Sequence, residues 1–232
     1  MKLILNNIFF SSITLGLRFL STAILFIIMA RVFGAEEFGR FAFAVSFTGI
    51  FQIIVDYGYN LLLVREVAAS PHKASKIASE LLGGKIVLSL FSSIALIIVI
   101  RLLHYPPKTE IIVYILWVSS LFYSFGLFFN FIFRGLNKFQ NETYSTAILN
   151  GILFFTVGTL LYFSFDTIGI AITYMVARTI YFLTSLYLVN KKVGRIPWVL
   201  NSNNFFRNLK ISFPFGIHAI LGSLYFQIDT VF

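Results

Sequence analysis

The sequence predicts an all-α, polytopic membrane helix bundle, with six transmembrane helices and the start of a seventh. Three observations predict it. Apolar residues make up 58% of the 232 positions and charged residues only 12%, where soluble domains carry about 25% charged residues. Mean hydropathy is +0.88. The apolar residues also fall in runs long enough to cross a bilayer core, which takes about 20 helical residues. The runs show no sustained period-two alternation, so an outer-membrane barrel does not fit. The 29 phenylalanines suit a surface facing acyl chains.

Six runs qualify in chain order: Ile8–Phe33, Phe38–Val64, Leu81–Leu103, Ile111–Phe133, Thr143–Phe165 and Ile168–Val189. A seventh begins near Ser212-Phe213-Pro214 and is still apolar at Phe232, about 25 Å of helix counted from Gly216. The expected organisation is a six-helix lobe over 1–190, a cytoplasmic linker with an interfacial helix over 191–211, and a truncated seventh helix over 212–232. The linker carries a capping cluster, Asn201-Ser202-Asn203-Asn204, before the short amphipathic run Phe205–Lys210. Glycines inside the runs (Gly83, Gly84, Gly126, Gly151, Gly158) suit close helix packing in lipid.

The connecting segments set the topology. One side holds Lys2, Arg65, Lys73, Lys76, Lys85, Arg134, Lys138, Lys191, Lys192, Arg195, Arg207 and Lys210; the other holds Arg31, Arg40, Arg101 and Lys108. The excess of basic residues places the N-terminus in the cytoplasm, in a multi-pass protein of the cytoplasmic membrane. It also accounts for the net charge of +9 without a nucleic-acid partner. The chain has no cysteine, hence no disulfide and no thiolate ligand or nucleophile. His72, His104 and His218 are scattered, so neither a metal site nor a cofactor is expected. No nucleophile–base pair or phosphate-cradling loop is present, which argues against an enzyme.

Two arginines lie deep in the spans, where an ionisable group is costly unless it faces protein or water. Arg18 is about 15 Å along the first run and Arg178 about 15 Å along the sixth. Asn7, Ser11, Thr14, Arg18 and Ser21 share one helix face; Tyr174, Arg178, Tyr181 and Ser185 share another. The fourth run carries a polar line, Ser119, Tyr123, Gly126, Asn130 and Arg134, and the fifth adds Thr146 and Asn150. A hydrated cavity with a positive floor follows, with Arg18, Arg178, Ser11, Thr14, Tyr174, Tyr181, Asn130 and Asn150 as the candidate substrate-binding set. The alternative is that each arginine pairs with a carboxylate or with carbonyls as a structural element. Guanidinium donors match phosphate oxygens, so the expected passenger has an anionic head and a lipid character. Asp56, on a face with Gln52 and Asn60, and Asp229, on a face with His218, Gly222 and Tyr225, are the acids within spans.

The segment Ala30-Arg31-Val32-Phe33-Gly34-Ala35-Glu36-Glu37-Phe38-Gly39-Arg40-Phe41-Ala42, followed by Asp56-Tyr57-Gly58-Tyr59-Asn60 and Arg65-Glu66, resembles the N-terminal signature of the polysaccharide (O-antigen, teichoic acid) flippases. These belong to the multidrug/oligosaccharidyl-lipid/polysaccharide exporter superfamily. Phe133–Phe139 resembles the family's fourth-to-fifth loop, and Phe213-Pro214-Phe215-Gly216 with Ile228-Asp229 resembles the start of its seventh helix. The resemblance implies one transporter lobe of two, facing a central cavity. It implies translocation of a polyprenyl-pyrophosphate-linked oligosaccharide by alternating access, with Arg18 and Arg178 on the pyrophosphate or acidic sugars. It implies membrane lipid, the lipid-linked oligosaccharide and glycan-synthesis proteins as partners, and Asp56 and Asp229 as ion-coupling candidates. The second lobe of the family pattern is missing, so the chain is expected to be a fragment, or a half-unit needing a partner chain. A cation/drug antiporter of the same fold and a non-transporting membrane scaffold subunit remain the alternatives.

Overall fold

The computed structural model describes residues 2–162, 166–197 and 205–217. Among these residues every regular element is helical: α1 (Lys2–Asp56), α2 (Tyr59–Ala69), α3 (Ala74–Leu102), α4 (Pro107–Gly135), α5 (Phe139–Tyr162) and α6 (Thr167–Lys192), then α7 (205–217). A 3₁₀ turn, Pro71–Lys73, joins α2 to α3. Among the described residues, four helical stretches are long and apolar enough to cross a membrane: Asn7–Ala69, Pro71–Leu102, Pro107–Gly135 and Thr167–Lys192. The protein is an all-α polytopic membrane bundle. Phe19 and Phe155 are 69% and 78% exposed, which water would penalise and acyl chains accept.

The first expected span and the second as far as Asp56 form the two arms of α1, folded at Gly34. Its φ of 73° and ψ of 177° fall in a region open essentially to glycine alone. Phe26 on the first arm meets Phe38 and Phe41 on the second, edge to face at 5.8 and 6.3 Å between ring centroids. The arms therefore run back along each other.

The second expected run, Phe38–Val64, is not one helix. It breaks at Tyr57 (φ 32°) and Gly58 (φ 74°) and resumes as α2. A Cβ on Gly58 would lie 2.5 Å from the backbone nitrogen of Gly216 and 2.7 Å from Phe215, so the break is where α7 makes its closest approach. Irregular backbone at membrane depth is tolerated where protein covers it, and Gly58 and Tyr59 are buried.

α4 is the hub. It packs most extensively on α6 and also touches α1, α2, α3 and α5. One apolar cluster, including Met29, Phe41, Leu116 and Ile170, fills the end nearer the α1 fold. A second, including Leu63, Leu82, Phe129, Phe133 and Val189, fills the end nearer α2. Ser75 and Ser79 of α3 donate to the carbonyls of Arg195 and Pro197, holding the segment after α6 against the bundle. Arg207 of α7 reaches Glu80 of α3 at 3.7 Å. α7 is continuous through Ser212-Phe213-Pro214, so the boundary expected at 211/212 falls inside a helix. Asp229, His218, Gly222, Tyr225 and the cluster 201–204 lie outside the described residues.

Candidate functional site

Both deep arginines line one cavity of about 230 Å³. The first arm of α1 contributes Arg18 and Thr22, and the second contributes Thr48 and Gln52. Ser120 and Tyr123 come from α4, Asn150 from α5, and Tyr174 and Arg178 from α6; Leu25, Leu116, Leu149 and Leu153 complete the wall. Helical spacing brings this about, because Tyr174 and Arg178 sit four residues apart on one face of α6.

Arg178 has no carboxylate partner among the described residues. Its Nη1 donates to Ser120 Oγ at 3.2 Å and makes a long contact with Ser119 Oγ at 3.5 Å. Its guanidinium lies over the rings of Tyr123 and Tyr174, 4.9 and 5.5 Å from their centroids. Hydroxyls and π faces orient the cation without neutralising it.

Arg18 is differently placed. Its Nη2 donates to Glu142 Oε1 at 3.0 Å, while its Nε is buried with no hydrogen-bond partner. Glu142, in the first turn of α5, is 1% exposed. Arg134 of α4 also grips it, through Nε to Oε2 at 2.5 Å and Nη2 to Oε1 at 2.6 Å, a bidentate pair of the strongest kind. Arg178 thus meets hydroxyls and rings and no acid among the described residues, whereas Arg18 shares a carboxylate, the arrangement weighed as the alternative for both arginines.

The other expected residues divide. Asn150 and Tyr174 line the cavity. Asn130 and Tyr181 do not: Asn130 Nδ2 lies 2.9 Å from Tyr181 Oη and 2.8 Å from Ser185 Oγ, with the Gly126 carbonyl also in reach of its two N–H groups, bolting α4 to α6 behind the wall. The Tyr181 ring occupies the space where a Gly126 side chain would sit, so glycine is needed there for the close approach. Thr14 lies 2.8 Å from the Thr143 hydroxyl, joining α1 to α5. Ser11 is half-buried and outside the cavity lining.

Asp56 sits beside the break after α1 and forms a compensated cluster. It accepts from Lys85 Nζ at 2.5 Å, Ser124 Oγ at 2.6 Å and, at long range, Asn60 Nδ2 at 3.4 Å. Lys85 is fully buried. It belongs to the bundle interior and not to the basic loop residues among which the sequence placed it; the remaining basic residues keep the same bias between sides. The sequence reading also missed Glu142, which stands one residue before the fifth apolar run. As the lone acid in the connection after the fourth run, beside Arg134, it was the signal available.

The sequence matches the family model described as "Polysaccharide biosynthesis protein" over residues 4–232. The chain belongs to this family. The resemblance to the polysaccharide flippases carried by the Arg31–Arg40 and Asp56–Asn60 segments is thereby borne out. A curated relative from Shigella dysenteriae, described as "Putative O-antigen transporter", is 27% identical over 231 residues. The match covers 97% of this flippase-family chain and 57% of the relative, so the chain spans little more than half that protein's length. No solved structure matches.

Proposed function

We propose that the cavity receives the anionic head of a polyprenyl-pyrophosphate-linked oligosaccharide, and that this chain forms one wall of a flippase moving that lipid across the cytoplasmic membrane. Arg178 carries the reading: a cation within a span, held by serines and tyrosines and with no counter-charge among the described residues, is suited to an anion from outside the chain. Arg18 adds a second guanidinium to the same wall. The cycle of alternating access is proposed for a protein of the relative's full length, in which a further wall faces this one. An N-terminus in the cytoplasm is part of the proposal and follows from the distribution of basic residues. The drug-antiporter alternative is disfavoured because the tyrosine faces that would attract an organic cation are occupied by Arg178.

The test is binding by the purified chain in lipid nanodiscs, followed by calorimetry. Farnesyl pyrophosphate should bind where farnesol does not, and Arg178→Ala should weaken binding about 100-fold, the loss of roughly 2–3 kcal/mol expected for a charge-assisted contact. An affinity that Arg178→Ala leaves unchanged would remove Arg178 from the site. Preference for tetraphenylphosphonium over farnesyl pyrophosphate would favour the antiporter.

A further inference from the structure

We infer that Glu142 is an internal stand-in for the ligand's anionic head: it holds Arg18 and yields it when a phosphate arrives, while Arg134 keeps Glu142 charged and in place. The inference rests on the reading of the cavity as a phosphate site.

The asymmetry of the triad is the basis. Arg134 holds Glu142 with two parallel hydrogen bonds, Nε to Oε2 and Nη2 to Oε1. Arg18 holds it with one, at 3.0 Å, onto the oxygen that Arg134 Nη2 already uses. Arg18 Nε is buried and unpartnered, so its fork of donors is only partly used. The same side chain lines the cavity with Arg178. Exchange of Arg18 from Glu142 to a phosphate oxygen would fill its unused donors and leave Glu142 still paired. Neither charge is stranded, which avoids the main cost of breaking a buried ion pair. The N-terminal turn of α5, where Glu142 sits, favours its negative charge as well. Arg134 lies over the Phe131 ring, 4.4 Å from its centroid, and is absent from the cavity lining. It acts through Glu142 and is a positioning residue.

Opposite signs test the exchange. With farnesyl pyrophosphate as the probe and the full chain in nanodiscs, Glu142→Gln removes the competitor and should tighten binding about tenfold. Arg134→Ala leaves both carboxylate oxygens to Arg18 and should weaken binding about tenfold. The double variant should bind like Glu142→Gln alone. A triad that only supports the fold would shift both single variants in the same direction or neither, and either result overturns the inference. If wild type binds but the signs are not opposed, the exchange fails and the cavity reading stands. If wild type does not bind the probe, both fail. Should Glu142→Gln not yield a monodisperse protein, Arg134→Lys and Arg134→Ala carry the test. Lysine keeps one charged contact and should fall between alanine and wild type; equal affinity in all three would overturn the exchange.

Discussion

Lys85 and Arg178 are cations in similar settings with opposite accounts. Each lies in a helix packed on α4, and each stands over two aromatic rings. For Lys85 the rings are Phe125 and Phe128, at 5.7 and 5.9 Å; for Arg178 they are Tyr123 and Tyr174. Among the described residues only Lys85 has a carboxylate, Asp56, with Ser124 donating to the same oxygen. The difference teaches that a buried charge by itself does not mark a binding site. What distinguishes the candidate site is open volume beside a cation that meets no counter-charge among the described residues.

Removing partners breaks the comparison most strongly at Lys85. Lys85→Met strands Asp56 and should cost about 3–5 kcal/mol, whereas Lys85→Met with Asp56→Asn should recover most of that loss. Arg178→Met strands no acid among the described residues and should change stability by less than about 1 kcal/mol; thermal unfolding in detergent followed by circular dichroism reads all three. An equal loss for Lys85→Met and Arg178→Met would erase the contrast. Gly58→Ala should cost about 2–4 kcal/mol in the same assay, from left-handed strain together with the clash against Phe215 and Gly216. Gly34→Ala has open space around the added methyl and should cost only the strain, about 1–3 kcal/mol.

The smallest effect belongs to a turn cluster outside the apolar runs, where Lys108 is shared by two acids. Lys108 Nζ lies 2.9 Å from Glu37 and from Asp166, and Asp166 also caps α6 through the Thr167 N–H at 2.7 Å. Hydrogen bonds from Lys108, then Thr167, hold the Glu37 carboxyl below its ordinary 4.5. Lys108 first, helped by Thr167, holds Asp166 below 3.8. Glu37, then Asp166, lifts Lys108 above 10.5. Depressed acids stabilise above their unfolded values and lose that contribution as pH falls through the folded ones. A raised lysine stabilises below 10.5 and loses its contribution as pH rises past the folded value. Stability from this cluster should therefore be flat from about pH 5 to 10 and fall on either side. Lys108→Ala should flatten the acid limb and cost no more than about 1 kcal/mol at neutral pH, since the groups are partly exposed. A loss of several kcal/mol would show that the cluster acts as a buried network.

Hydropathy and helical spacing made the bundle legible, along with Arg18, Tyr174 and Arg178 as one constellation, because period and depth are properties of the chain itself. The break at Tyr57-Gly58 was not legible: Phe38–Val64 is apolar enough to run straight, and the backbone that packs into the break is at 215–216 of α7, more than 150 residues later in the chain. Lys85 read as a loop charge because its partner lies on another helix. Asn130 and Tyr181 shared the right faces with cavity residues, but the pair points toward each other across α4 and α6. Periodicity gives a face and not which neighbour covers it.

The contact at Gly58 also constrains how the sequence can vary. Two backbones occupy one shared space there, with no side chain between them on the Gly58 side. A methyl added at Gly58 must be met by retreat of the 215–216 backbone, so substitutions at these positions are coupled, and compensating changes for one should be sought on the other.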